Sequence, residues 1–146
     1  MANVFNVAQY VLNHKGSMTT MKLEKLVYYC QAWSLAWDGV PLFDEDFQAW
    51  ANGPVCPVLF MSHKGRFWLE ADFYDKYECK FSAEQIETMN SVLSTYGDKT
   101  PQWLSELTHK ERPWRETRNG IAPGDSCDKV IPKELMQEYY GGLAVE

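Results

Sequence analysis

The chain has 146 residues and a formal net charge of −6, with 45% hydrophobic and 23% charged residues. That length suits one domain with a core of its own, and the composition excludes global disorder. Acids outnumber bases, 20 Asp+Glu against 14 Lys+Arg, whereas a protein built to grip phosphate backbones needs a basic stripe for counterion release.

Val4, Val7, Ala8, Val11 and Leu12 fall at helical spacing over residues 3–14, and Gly16 follows as a stop. Lys15, Lys22 and Lys25 make residues 1–25 net basic and read as solvated helix ends. Thr19 or Thr20 can cap a second helix. Leu23, Leu26, Val27, Cys30, Trp33, Ser34 and Trp37 run down one side of it, with Tyr28, Tyr29, Ala32, Leu35 and Ala36 on the other. A helix apolar nearly all round is buried, so this is the central one, ending near Asp38-Gly39.

A loop follows over residues 40–46, then a short strand at Phe47–Trp50 and a turn at Asn52-Gly53-Pro54. Residues 55–64 read as a third helix, with Pro57 in its first turn and Gly65 closing it. Phe67-Trp68-Leu69 and residues 73–81 read as irregular or short strands. Ser82 and Gln85 form a capping box for a helix through Tyr96, and Thr100-Pro101 starts another carrying Trp103, Leu104 and Leu107. Residues 111–118 are a short helix or turn, and 119–128 a polar loop. Pro132 opens a last helix with Leu135, Met136 and Tyr139, ending at Gly141-Gly142. The expected fold is mainly α: a single compact helical domain over 1–146, around a buried central helix, with a small β element.

No window reaches the ~18–20 apolar residues of a membrane span, and Met1–Phe5 lacks the features of a signal peptide. Cys30, Cys56, Cys79 and Cys127 contain no CxxC pair. Reduced thiols, no metal, no cofactor and a cytoplasmic location are the expectation.

No nucleophile elbow, P-loop, dinucleotide fingerprint or zinc helix is present. His14 and His63 sit where a helix end favours a cation, and His109 could orient a polar contact. A hydrolase or transferase would need Cys30 or Cys56, a histidine and a carboxylate brought together by the fold. Asp44-Glu45-Asp46 reads as a solvated loop. Residues 66–98 are more informative, with seven acids against Arg66, Lys76 and Lys80, a net −4. Phe67, Trp68, Glu70, Asp72, Asp75 and Tyr77 are the candidate partner-binding residues, rings as anchors and charges speeding association with a basic protein. The competing reading is a sheet with its aromatic face in the core and its acidic face wet.

Lys22-Leu23-Glu24-Lys25-Leu26-Val27-Tyr28-Tyr29-Cys30-Gln31-Ala32-Trp33, Pro41-Leu42-Phe43-Asp44-Glu45 and Ala49-Trp50-Ala51-Asn52-Gly53-Pro54-Val55 resemble the Panacea-domain, or SocA/GepA-like, family. The resemblance continues through Leu104–His109 and Pro113-Trp114, covering roughly residues 4–140. It departs from the family pattern at Ala51-Asn52, where an aromatic or basic residue often stands, and at Cys56-Pro57, where Val-Pro is usual.

The resemblance implies an antitoxin of a toxin–antitoxin pair on a phage or mobile element, a helical scaffold and no catalytic residue. It implies a protein toxin from a neighbouring gene as partner, neutralised by direct contact. In one branch of the family the antitoxin is an adaptor that delivers the toxin to an AAA+ protease. Tyr28, Trp33, Trp50, Gly53, Pro54, Trp103, His109 and Trp114 carry the motif and read as packing and turn residues. Partner choice is expected at ends and loops. The alternatives are the small hydrolase or transferase above and a mobile-element regulator contacting DNA.

Overall fold

Thr19 accepts a hydrogen bond from Lys22 N at 3.2 Å and so starts α2, Thr20–Trp37, the axis of the molecule. The computed structural model describes residues 1–144. Residues 23–35 of α2 are all buried, because this helix is covered on every side. Helices α1 (Val4–Lys15), α4 (Ala83–Tyr96) and α7 (Lys133–Ala144) pack along it. Helices α3 (Pro57–His63) and α5 (Pro101–Lys110) also lie against it, and α6 (Arg112–Thr117) joins α5 to α7. The mainly helical, compact fold expected from the sequence is the one observed.

Local chemistry sets the boundaries. Asn3 and Asn6 form a reciprocal capping box on α1, as do Ser82 and Gln85 on α4. Thr100 caps α5 from the residue before Pro101. Gln31 of α2 donates to Phe43 O at 2.8 Å and accepts from Leu42 N at 2.7 Å, fixing the loop that follows the helix.

Two small antiparallel sheets complete the fold. β1 (Met18–Thr19) pairs with β4 (Trp68–Leu69), and β2 (Gln48–Trp50) with β3 (Gly53–Val55). A one-turn 3₁₀ helix spans Asp75–Tyr77.

Four sequence expectations change. Gly53-Pro54 lies in β3, and the turn is Ala51-Asn52, one step earlier. α3 is confined to Pro57–His63 because Cys56 is its extended N-cap. α7 runs through Gly141-Gly142 to Ala144; its fully buried Tyr140 is bonded into the core, and such packing outweighs the roughly 1 kcal/mol a helical glycine costs. Lys25, expected in solvent, is 1% exposed.

Candidate functional site

Two exposed aromatic side chains stand next to each other at the start of β4. Phe67, just before the strand, is 78% exposed; within β4 Trp68 is 48% exposed and Leu69 is buried, on opposite faces as a strand requires. Thr20 anchors this strip by donating its N–H to Phe67 O at 3.0 Å. Glu70, Asp72 and Asp75 follow, all exposed. The same segment turns other aromatics inward: Tyr74 is buried, and Tyr77 is half-buried and stacked on Phe5 at 4.8 Å. Tyr74 and Tyr77 thus pack inward, while Phe67 and Trp68 face solvent.

The polar side of α1 holds this segment in place. Gln9, itself buried, donates to Ala71 O at 2.8 Å and accepts from Tyr74 N at 2.8 Å. Asn6 bonds Tyr77 O, and Ser17 Oγ donates to Glu70 Oε2 at 3.1 Å. The aromatic–acidic strip is thus presented on a braced frame.

A second feature was not legible in the sequence. A cleft of about 770 Å³ lies between the first turns of α2, the β2–β3 hairpin, Phe60 of α3 and the loop 121–129. Its lining includes Met21, Glu24, Lys25, Trp50, Asn52 and Phe60. Trp50 and Phe60 meet edge to face at 4.9 Å. Arg118, also buried, holds the loop wall by donating to Ala122 O at 2.9 Å and Asp125 O at 2.6 Å, and it ties the hairpin through Ala49 O at 2.9 Å.

Two buried charges line the cleft. Glu24 accepts from Cys56 N at 3.0 Å and shares a 2.7 Å hydrogen bond with His63 Nε2. His63 therefore serves as a buried partner of Glu24, not as the helix cap expected of it. Lys25 Nζ donates to Pro54 O at 3.1 Å, and among the described residues no carboxylate lies within 4.0 Å of it. Burial lowers its pKa to about 8, against an opposing pull from Glu24.

Most motif residues pack. Tyr28 bonds the Tyr140 hydroxyl at 3.1 Å, and Trp33 Nε1 donates to Tyr96 at 3.1 Å. Trp114 Nε1 donates to Trp50 O at 2.8 Å and stacks on His109 at 4.0 Å. The His109 pKa is lowered first by burial and then by the Lys25 and Arg118 cations. Trp103 stands apart: it is exposed, with Lys99 over its ring at 4.8 Å. Elsewhere in the core Glu111 accepts from the Tyr29 and Tyr140 hydroxyls at 2.7 and 2.8 Å, and burial raises its pKa.

The fold does bring Cys56, His63 and a carboxylate into one neighbourhood, but His63 Nε2 faces Glu24, and burial pushes the Cys56 thiol up to about 12. Such a thiol stays protonated and is a poor nucleophile. Among the described residues no group of three His, Cys, Asp or Glu is placed to hold a metal, and no helix is long and apolar enough to cross a membrane.

Residues 23–115 match the family described as antitoxin SocA-like, Panacea domain. No curated protein and no solved structure matches the chain.

Proposed function

The chain belongs to the SocA-like Panacea antitoxin family, and from that premise we propose that it neutralises a protein toxin, encoded by a neighbouring gene, by direct contact through the β1–β4 strip. The observation that carries this reading is the joint exposure of Phe67 and Trp68 beside Glu70, Asp72 and Asp75. Large aromatic rings lose little side-chain freedom on docking and supply most hot-spot energy. The acids around them attract a basic partner, such as a toxin whose active face handles nucleic acid or nucleotides.

The motif residues around α2 have a different part in this account. Trp33 and Trp114 are buried and hydrogen-bonded, so they hold the scaffold. The exposed side chains of the strip, braced from α1, can be changed without disturbing that core.

Expression of the neighbouring gene alone should arrest growth, co-expression of this protein should restore it, and the two should co-purify. Growth arrest that this protein fails to relieve would contradict the reading. The toxin's half-life in cells with and without an AAA+ protease then separates holding from delivery.

A further inference from the structure

The cleft holds a buried cation with little to balance it. Lys25 is buried at its edge with one hydrogen bond, to a neutral carbonyl, for an ammonium that has three donors. A buried cation with no carboxylate in contact is costly, and Glu24, which is engaged elsewhere, offsets only part of that cost. Replacement by an apolar side chain of similar length would remove that cost. The fold instead makes room for it: Gly53 leaves open the space that Lys25 Cε occupies.

The surroundings define what would complete the site. Trp50, Phe60 and Met21 give apolar walls, Asn52 and Ser126 add polar groups, and the loop wall adds one acid and one base, Asp128 and Lys129. Glu24 is already engaged by Cys56 N and His63, so it is not the missing partner of Lys25. A volume of about 770 Å³ lies within the range of roughly 300–1,000 Å³ of ligand pockets, which are apolar with a few convergent polar groups.

We propose that this cleft binds a carboxylate with an apolar body, its carboxylate meeting the Lys25 ammonium and its body lying against Trp50 and Phe60. This inference is independent of the toxin-binding strip. The same chemistry is offered by a free small acid and by the C-terminal end of a polypeptide.

The test uses the purified full chain with phenylacetate and hexanoate, their neutral amides, and N-acetyl-Leu-Phe with a free or an amidated C-terminus. Melting temperature and tryptophan fluorescence are read at ligand concentrations up to about 10 mM, where millimolar affinity is visible. At least one acid should shift both signals while its amide does not. Lys25→Met and Lys25→Gln, the second keeping a donor for Pro54 O, should fold and weaken acid binding by roughly 10–100-fold, the range for a hydrogen bond to a charged group. A response to the small acids assigns the site to a free ligand, and a response to the peptide acid alone assigns it to a chain end. No response to any acid, equal responses to acid and amide, or undiminished binding by folded Lys25 variants would overturn the proposal.

Discussion

Gly53 stands where Lys25 passes: a Cβ at Gly53 would lie 2.6 Å from Lys25 Cε and 2.9 Å from Thr108 Oγ1. The glycine also sits at φ +118, a backbone state that other residues rarely adopt. One position thus answers to two demands, a strand start with positive φ and the passage of a buried lysine.

Gly53→Ala should therefore destabilise the protein by more than Gly120→Ala. Gly120 shares the positive φ, at +83, but a Cβ there meets nothing within 4 Å. The backbone term alone is roughly 1–3 kcal/mol, and the Gly53 variant should exceed its control by the steric part. Urea unfolding of both variants measures the difference. Equal losses would show that Lys25 moves aside freely.

Lys25 also makes stability depend on pH in a defined direction. Its pKa falls from 10.5 to about 8 on folding, so between those values the unfolded chain binds more protons. Stability from this group then rises as pH rises through that window, and it is reduced by roughly 3 kcal/mol below it. Tyr28, Tyr29 and Tyr140, whose pKa values burial raises, titrate near pH 10 once unfolded and oppose the trend. The comparison of wild type with Lys25→Met over pH 7–9.5 isolates the effect: the wild type should gain on the variant as pH rises. Parallel curves would mean that Lys25 is solvated in the native state.

The central helix tests the core. Leu26 is fully buried on α2, so Leu26→Ala should cost about 2–5 kcal/mol, the range for emptying a packed leucine site. A melting curve unchanged by this substitution would place that face of α2 outside the core.

Much of this architecture was legible in the sequence because it rests on local signals. The apolar surround of α2, the Ser82/Gln85 box and the Thr100-Pro101 start each depend on residues within one or two turns. The cleft was not legible because its walls come from residues 20–25, 48–55, 60 and 121–129, which only the tertiary fold brings together. Lys25 misled for the same reason. Beside Lys22 in the first turns of a helix it has the pattern of a solvated end, and only the distant Gly53-Pro54 reveals that it is enclosed. His63 likewise fits a helix-end pattern until Glu24, 39 positions away, is seen against it. The exposed Phe67 and Trp68 were identifiable as residue types, but which rings turn outward is set by the pairing of β4 with Met18–Thr19.

Charge on the strip should act on encounter. Reversal of Glu70, Asp72 and Asp75 to Lys should slow association with the toxin about tenfold at low salt and by less at high salt, with circular dichroism unchanged. The Ser17 bond to Glu70 is lost in that variant, so Asp72→Lys/Asp75→Lys is the cleaner control for folding. Association rates indifferent to both variants and to salt would remove electrostatic steering from the account.

The most direct measurement is the affinity of the purified protein for the product of the neighbouring toxin gene, with and without the double substitution Phe67→Ala/Trp68→Ala. Both side chains are largely outside the core, so the variant should melt within a few degrees of the wild type. Affinity should fall about 30-fold or more, the scale of a hot-spot truncation, with a matching loss of growth rescue. An affinity unchanged in a folded variant would contradict docking at the strip, and would place the toxin on another face of the molecule.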